Sequence, residues 1–174
     1  ELLREQSGKN FLPSLEIPDD GDVYVISVGT PVAKVNKEKS PIPILDYIKN
    51  LSTTLGKKLK PGNLVILRST VPTGTTRKIV IPLLEKHSGL KCGSDFHLSF
   101  APERTAEGKA LKELRELPQI IGGINKDSVE ATAALFRELT PIIVRVSSLE
   151  AAEMVKLINS SFRDNIFSYS NYFT

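Results

Sequence analysis

Cysteine is nearly absent from this chain: Cys92 is the single one in 174 residues. An internal disulfide is therefore excluded, which fits a reducing compartment and leads us to expect the cytoplasm. With only two histidines, His87 and His97, the chain has too few soft ligands for a dedicated zinc site. No apolar run approaches the ~20 residues of a membrane span, and no signal-peptide pattern opens the chain. Neither G-x-G-x-x-G nor a Walker A pattern occurs. Charge of one sign is also scarce: 23 Lys and Arg face 20 Asp and Glu, a net +3. No basic stripe interleaves with aromatics, so nucleic acid is not an expected partner. Internal repeats and low-complexity tracts are missing as well.

The composition that remains, 40% hydrophobic and 25% charged, is that of a globular domain long enough for its own core. The two ends are unusual. Glu1-Leu2-Leu3-Arg4-Glu5 reads as a piece of helix without a start signal, and Asn171-Tyr172-Phe173-Thr174 closes the chain inside a helical pattern. Both read as cuts through a larger protein.

Between them, apolar runs alternate with helical patterns. Asp22–Val28, Leu64–Leu67, Phe96–Phe100, Gln119–Gly123 and Pro141–Val146 read as buried strands. Helical spacing follows at Ile44–Gly56, around Ile79–Leu84 with Pro82 as a possible kink, at Leu111–Leu117 and at Ser128–Leu139. Ser147, with Glu150 three residues on as a capping box, opens a long last helix. Its stripe is Ala151, Met154, Val155, Ile158, Phe162, Ile166 and Phe167. Strands alternating with helices predict an α/β fold: a parallel sheet covered on both faces.

Three strand ends then share one rim, the edge where open α/β sheets bind ligands. They are Gly29-Thr30-Pro31, the stretch Ser69 to Thr76, and Ala101 to Leu111. The last crowds Glu103, Arg104, Glu107 and Lys109 just past a strand, where charge has no packing purpose. Glu103 and Glu107, spaced i, i+4, either converge on a ligand, one as a general base, or form a surface ion-pair network with Arg104 and Lys109. Thr70 at a strand end favours function. Thr75 and Thr76 read either as phosphate donors at a helix start or as ordinary caps. On the last helix, Lys156, Asn159 and Ser160 share a side; the pattern favours a Lys156 that snorkels to water over one partly buried as an electrostatic stabiliser. Cys92 reads as structural rather than nucleophilic.

Taken in order, Val23-Tyr24-Val25-Ile26-Ser27-Val28-Gly29-Thr30-Pro31, Ser69-Thr70-Val71-Pro72, Phe100-Ala101-Pro102-Glu103 and Ala152-Glu153-Met154-Val155-Lys156-Leu157 resemble the UDP-glucose/GDP-mannose dehydrogenase family. Pro102-Glu103-Arg104-Thr105-Ala106-Glu107-Gly108 and Phe162-Arg163-Asp164 look most like its branch oxidising UDP-N-acetylhexosamines such as UDP-N-acetylmannosamine. The resemblance implies a partial Rossmann-like parallel sheet with flanking helices, ending in a long interdomain helix. It divides the chain into residues 1–146, the C-terminal half of the NAD-binding domain, and 147–174, the start of a central helix that would form a homodimer.

It also implies two NAD-dependent oxidations at the sugar C6, through a thiohemiacetal and a thioester on a cysteine. Thr70, Glu103 and Lys156 would be catalytic, with Glu103 the base for thioester hydrolysis and Lys156 the oxyanion stabiliser. Gly29, Thr30, Thr70 and Glu107 would contact NAD. Glu103, Arg104, Thr105, Ala106, Glu107, Lys156 and Ser160 would line the UDP-sugar site. The family's glycine-rich loop belongs before Glu1 and its cysteine after Thr174; Cys92 matches neither. Ser160 stands where an asparagine donor is usual. The 174 residues alone are thus expected to be inactive. UDP-glucose or GDP-mannose is the alternative substrate, and a non-catalytic short paralogue serving binding or assembly is the alternative class.

Overall fold

Leu64–Leu67 form β4, the spine of the sheet, and all four residues are buried. Four consecutive apolar residues require such a strand, with neighbours on both edges and cover on both faces. The computed structural model describes residues 2–33, 41–106 and 108–173. In it, β1 (Val23–Ile26) and β5 (His97–Phe100) flank β4, both parallel to it, with Val23, Leu64 and His97 in one row. β6 (Gln119–Gly123) adds antiparallel to β5, and β7 (Ile143–Arg145) parallel to β6. A separate antiparallel ribbon joins β2 (Val32–Ala33) to β3 (Ile42–Pro43).

The sheet is thus mostly parallel, with one antiparallel step that the strand pattern did not predict. The cause lies in the β5–β6 connection. A parallel connection needs a crossover element packed on the sheet. The helix available, α4 (Ala110–Glu116), has no buried residue. The chain therefore turns back at the same rim, and β6 starts beside the ends of β1, β4 and β5.

Alternation along the strands sorts side chains between two cores. Ile26, Val65, Leu67, Leu98 and Phe100 face one side. That side is covered by α2 (Asp46–Gly56), α3 (Ile81–Ser88) and the start of α6 (Leu149–Tyr172). Leu64, Ile66 and Ile121 face the other, against Val129, Ala133 and Phe136 of α5 (Lys126–Arg137). A short α1 (Leu2–Gln6) opens the described chain. Val23 and Val25 are exposed although the run they belong to reads as buried. They share the face of Leu64 and Ile66, where α5 packs mainly on β4, β5, β6 and β7.

Pro82 does mark a distortion, one turn earlier than its own position. Thr76–Val80 form a π-helical turn in which the Ile81 N–H bonds the Thr76 carbonyl. A proline ring crowds the carbonyl four residues back and offers no N–H; the wider turn lets α3 continue through it. α6 is capped by Ser148, whose hydroxyl accepts the Ala151 N–H at 3.1 Å. The expected Ser147/Glu150 box does not form: the cap falls one residue later, and the Glu150 carboxylate meets Arg77 at 2.6 Å. α6 approaches β6 closely at Gly122, where any Cβ would run into the Ser148 carbonyl. Beyond Glu153 its apolar stripe lies open at Met154, Ile158, Phe162, Ile166 and Phe167, while Val155 packs on the core. No helix among the described residues is long and apolar enough to cross a membrane.

Candidate active-site rim

The loop after β5 has no regular structure from Ala101 to Ala106, and its hydrogen bonds converge on Glu103. One carboxylate oxygen of Glu103 accepts the backbone N–H groups of Arg104 and Thr105, at 2.8 and 2.9 Å. The other pairs with the Arg68 guanidinium at 2.5 Å. The ammonium of Lys156 donates to the Glu103 backbone carbonyl, also at 2.5 Å. Two predicted site residues 53 positions apart are thereby joined.

The electrostatics follow from these partners. Burial raises the Glu103 carboxyl, but the Thr105 N–H and the Arg68 guanidinium outweigh it and hold the group at about 2. Glu103 is thus ionised at any physiological pH. Burial pushes the Lys156 ammonium below its ordinary value, and the positive charges of Arg163, Arg104 and Arg68 push the same way against the pull of Glu103. Lys156 is half-buried and bonded, not snorkelling as its helical pattern favours. The reason is that α6 enters against β6 at Gly122, aiming this turn at the Glu103 loop.

Next to this pair, the ends of β1 and β4 are tied together. The Thr30 hydroxyl donates to the Thr70 carbonyl at 2.6 Å, and the Ser69 hydroxyl to the Val28 carbonyl at 2.7 Å. Thr70 itself is exposed, and nothing lies within 4 Å of where a Cβ on Gly29 would stand. The rim thus presents open backbone at Gly29, a hydroxyl at Thr30, and the Glu103–Lys156 pair beyond them.

Other expectations fare differently. Glu103 does not pair with Arg104 or Lys109: its charge partner is Arg68. Arg104 turns its guanidinium to the Pro118 carbonyl at 3.1 Å. The Thr105 and Ala106 N–H groups are spent on Glu103 and Glu113. Ser160 is half-buried, one helical turn beyond Lys156. Glu107 lies outside the described residues. Thr75 stands at the N-cap position of the Thr76–Val80 turn without a side-chain cap bond, and neither Thr75 nor Thr76 is a free phosphate donor. The Thr75 hydroxyl bonds the Pro72 carbonyl, while the N–H groups of Gly74 and Thr76 and the Thr76 hydroxyl all donate to the carboxylate of Glu153. Cys92 precedes β5, at the opposite edge of the sheet from Glu103. Burial pushes its thiol up to about 12, so it remains protonated and inert.

Three residues of this region escaped the sequence reading. Arg68 is 9% exposed, Gln119 6% and Glu153 fully buried. A signal existed for two of them: Arg68 extends an unbroken apolar run, and Glu153 interrupts the apolar beginning of the last helix.

The profile of the UDP-glucose/GDP-mannose dehydrogenase family, NAD binding domain, matches residues 3–140. The chain belongs to that family. Among its relatives, the UDP-N-acetyl-D-mannosamine dehydrogenase of Campylobacter jejuni is 36% identical over 167 residues, 92% of this chain and 40% of that protein. The solved UDP-D-ManNAc dehydrogenase of Pyrococcus horikoshii superposes with a TM-score of 0.75 at 36% identity, over 83% of this chain and 33% of that one. The GDP-mannose dehydrogenase of Pseudomonas aeruginosa, solved as a ternary complex, gives 0.77 at 32% identity, over 88% of this chain and 35% of that one. The chain thus spans about two fifths of the Campylobacter relative's length. Its fold is that of Rossmann-like dehydrogenases, and the cofactor of the matched domain is NAD.

Proposed function

We propose that this segment forms the catalytic rim of a nucleotide-sugar 6-dehydrogenase whose substrate is a UDP-N-acetylhexosamine, with UDP-N-acetylmannosamine the first choice. The observation that carries the reading is the Lys156–Glu103 bond, which puts an ammonium and a carboxylate-bearing loop at the exit of parallel strands. The named relatives at 36% identity support the substrate class.

The rim suits a dinucleotide. Gly29 leaves its backbone uncovered, so a flat ligand can approach closely, and the Thr30 hydroxyl keeps acceptor capacity after donating to Thr70. Gly29, Thr30, Thr70 and Glu107 would hold the cofactor, which when bound accepts hydride from the sugar C6. Lys156, its ammonium already disfavoured by burial, would gain most from an oxyanion developing beside it. Glu103 would orient water for the hydrolytic step. Arg104, Thr105, Ala106 and Ser160 would border the sugar nucleotide.

At the larger scale, residues 1–146 would belong to the NAD-binding domain and 147–174 to a central helix. The open stripe of that helix would pair two copies, which sedimentation of the protein carrying this segment would register as a dimer. We assign it to the cytoplasm, where an unpaired cysteine stays reduced.

The test is NADH formation by that protein with UDP-N-acetylmannosamine, UDP-N-acetylglucosamine, UDP-glucose and GDP-mannose. The reading expects the highest kcat/KM with an N-acetylhexosamine and no NADH from the 174 residues alone. Preference for UDP-glucose or GDP-mannose would move the substrate. Silence with all four would favour a binding or assembly role.

A further inference from the structure

We propose that Arg68 is a positioning residue that governs Glu103: anchored on two buried neighbours, its guanidinium fixes the orientation of the carboxylate. Arg68 lies at the exit of β4 and is 9% exposed. One of its terminal nitrogens, Nη1, donates to the Gln119 side-chain oxygen at 3.3 Å. Its charge stands 4.9 Å from the centre of the Phe136 ring. The other, Nη2, meets Glu103. The fork is therefore pinned on two sides before it touches the carboxylate. Such an arrangement transmits orientation rather than merely neutralising charge.

The count of acceptor sites gives this a chemical consequence. An ionised carboxylate offers about four lone-pair positions. At Glu103 the N–H groups of Arg104 and Thr105 and the Arg68 guanidinium take three. The Thr105 hydroxyl also bonds the carboxylate, and this rotatable donor is the one a water or a substrate hydroxyl would replace. The antiparallel step matters here, because it brings Gln119 at the start of β6 to the rim where β4 and β5 end.

The charged groups next to Glu103 are Arg68 at the exit of β4 and Lys156 on α6, and around Lys156 stand also Arg104 of the loop and Arg163 of α6. Glu113 of α4 is bonded to the neighbouring Ala106. Of these, Arg68 alone touches the carboxylate with its side chain. A carboxylate held so far below neutrality is a weak base. Arg68 thus trades basicity for constant ionisation and fixed aim. The consequence for turnover rests on the reading of Glu103 proposed above; the ion pair itself does not.

The experiment has two arms. In the first, the side-chain carboxyl of Glu103 is followed by carbon-13 NMR against pH in the 174-residue chain, wild type and with Arg68→Lys or Arg68→Gln. The wild-type signal is expected to show no inflection above pH 3. Arg68→Gln should raise the inflection by about 1–3 units, and Arg68→Lys, which keeps the charge without the fork, by less. Should Arg68→Gln fail to fold, Phe136→Leu removes one anchor and keeps the charge, and a rise there serves the same end. A wild-type inflection near 4.3, or one that neither Arg68→Gln nor Phe136→Leu moves, overturns the proposal.

In the second arm, the acid limb of kcat is compared between wild type and Arg68→Lys in the protein carrying this segment. An upward shift that follows the NMR value supports positioning for catalysis. An NMR shift with an unmoved kcat profile keeps the control of Glu103 by Arg68 and overturns Glu103 as the base.

Discussion

Glu153 has no solvent contact, yet it is a carboxylate receiving three donors from the turn at Gly74–Thr76. Removing it leaves those donors buried without partners, each costing roughly 1–3 kcal/mol. Glu153→Ala is therefore expected to lower the unfolding free energy by about 3 kcal/mol or more, read by urea titration. Lys156 behaves in the opposite sense. Burial disfavours its charge, and its one bond to the Glu103 carbonyl offsets that cost. Lys156→Met should leave stability within about 1 kcal/mol of wild type while abolishing turnover of the complete protein. Glu103 links stability to pH. Its carboxyl lies at about 2 in the fold, against ~4.3 in an unfolded chain. A lowered value means that the stabilisation is complete above about pH 5 and is lost as pH falls through 4.3 toward 2. Because the group is half-exposed, solvent screening keeps the contribution on the order of 1 kcal/mol. The difference in unfolding free energy between wild type and Glu103→Gln should shrink by that amount between pH 6 and pH 3.

At the scale of elements, Gly122 sets how closely α6 meets the sheet. Gly122→Ala would push the Ser148 turn outward, costing about 1–3 kcal/mol by overpacking. It should also lower kcat disproportionately, because Lys156 rides on the same helix. A kcat that falls no more than stability predicts would detach the helix from the site. The elements differ in how legible they were. β1, β4 and β5 stand out as apolar runs, and the π-helical turn announced itself through Pro82. The direction of β6 did not, since Gln119–Gly123 is equally apolar read either way; only an unburied α4 tells that no crossover exists. Glu150 marks Ser147 as the cap on paper, whereas the cap is Ser148 and Glu150 meets Arg77. The Glu103–Lys156 bond spans 53 residues, a separation that local patterning does not reach; only the ordered family motifs pointed to both. Arg68 went unseen because a charge after a strand reads as its end, whereas the guanidinium has a carboxylate, an amide and an aromatic ring waiting for it.

For the molecule as a whole, one fact organises the rest. Strand exits of β1, β4 and β5 and the start of β6 share an edge, and α6 delivers a lysine to it. Open apolar surface lies elsewhere, on the β1 face at Val23 and Val25 and along α6 from Ile158 to Phe167. At the rim polar groups of β4, the Glu103 loop and α6 bond one another, and it is where the chemistry should be measured. The most direct measurement is NADH released per active site in the first turnover of Glu103→Gln, in the protein carrying this segment, with UDP-N-acetylmannosamine. The account predicts two NADH per site at near wild-type rate, then a stall with the sugar covalently held, since only hydrolysis has lost its base. Steady turnover at the wild-type rate, or a block before the first NADH, would contradict it.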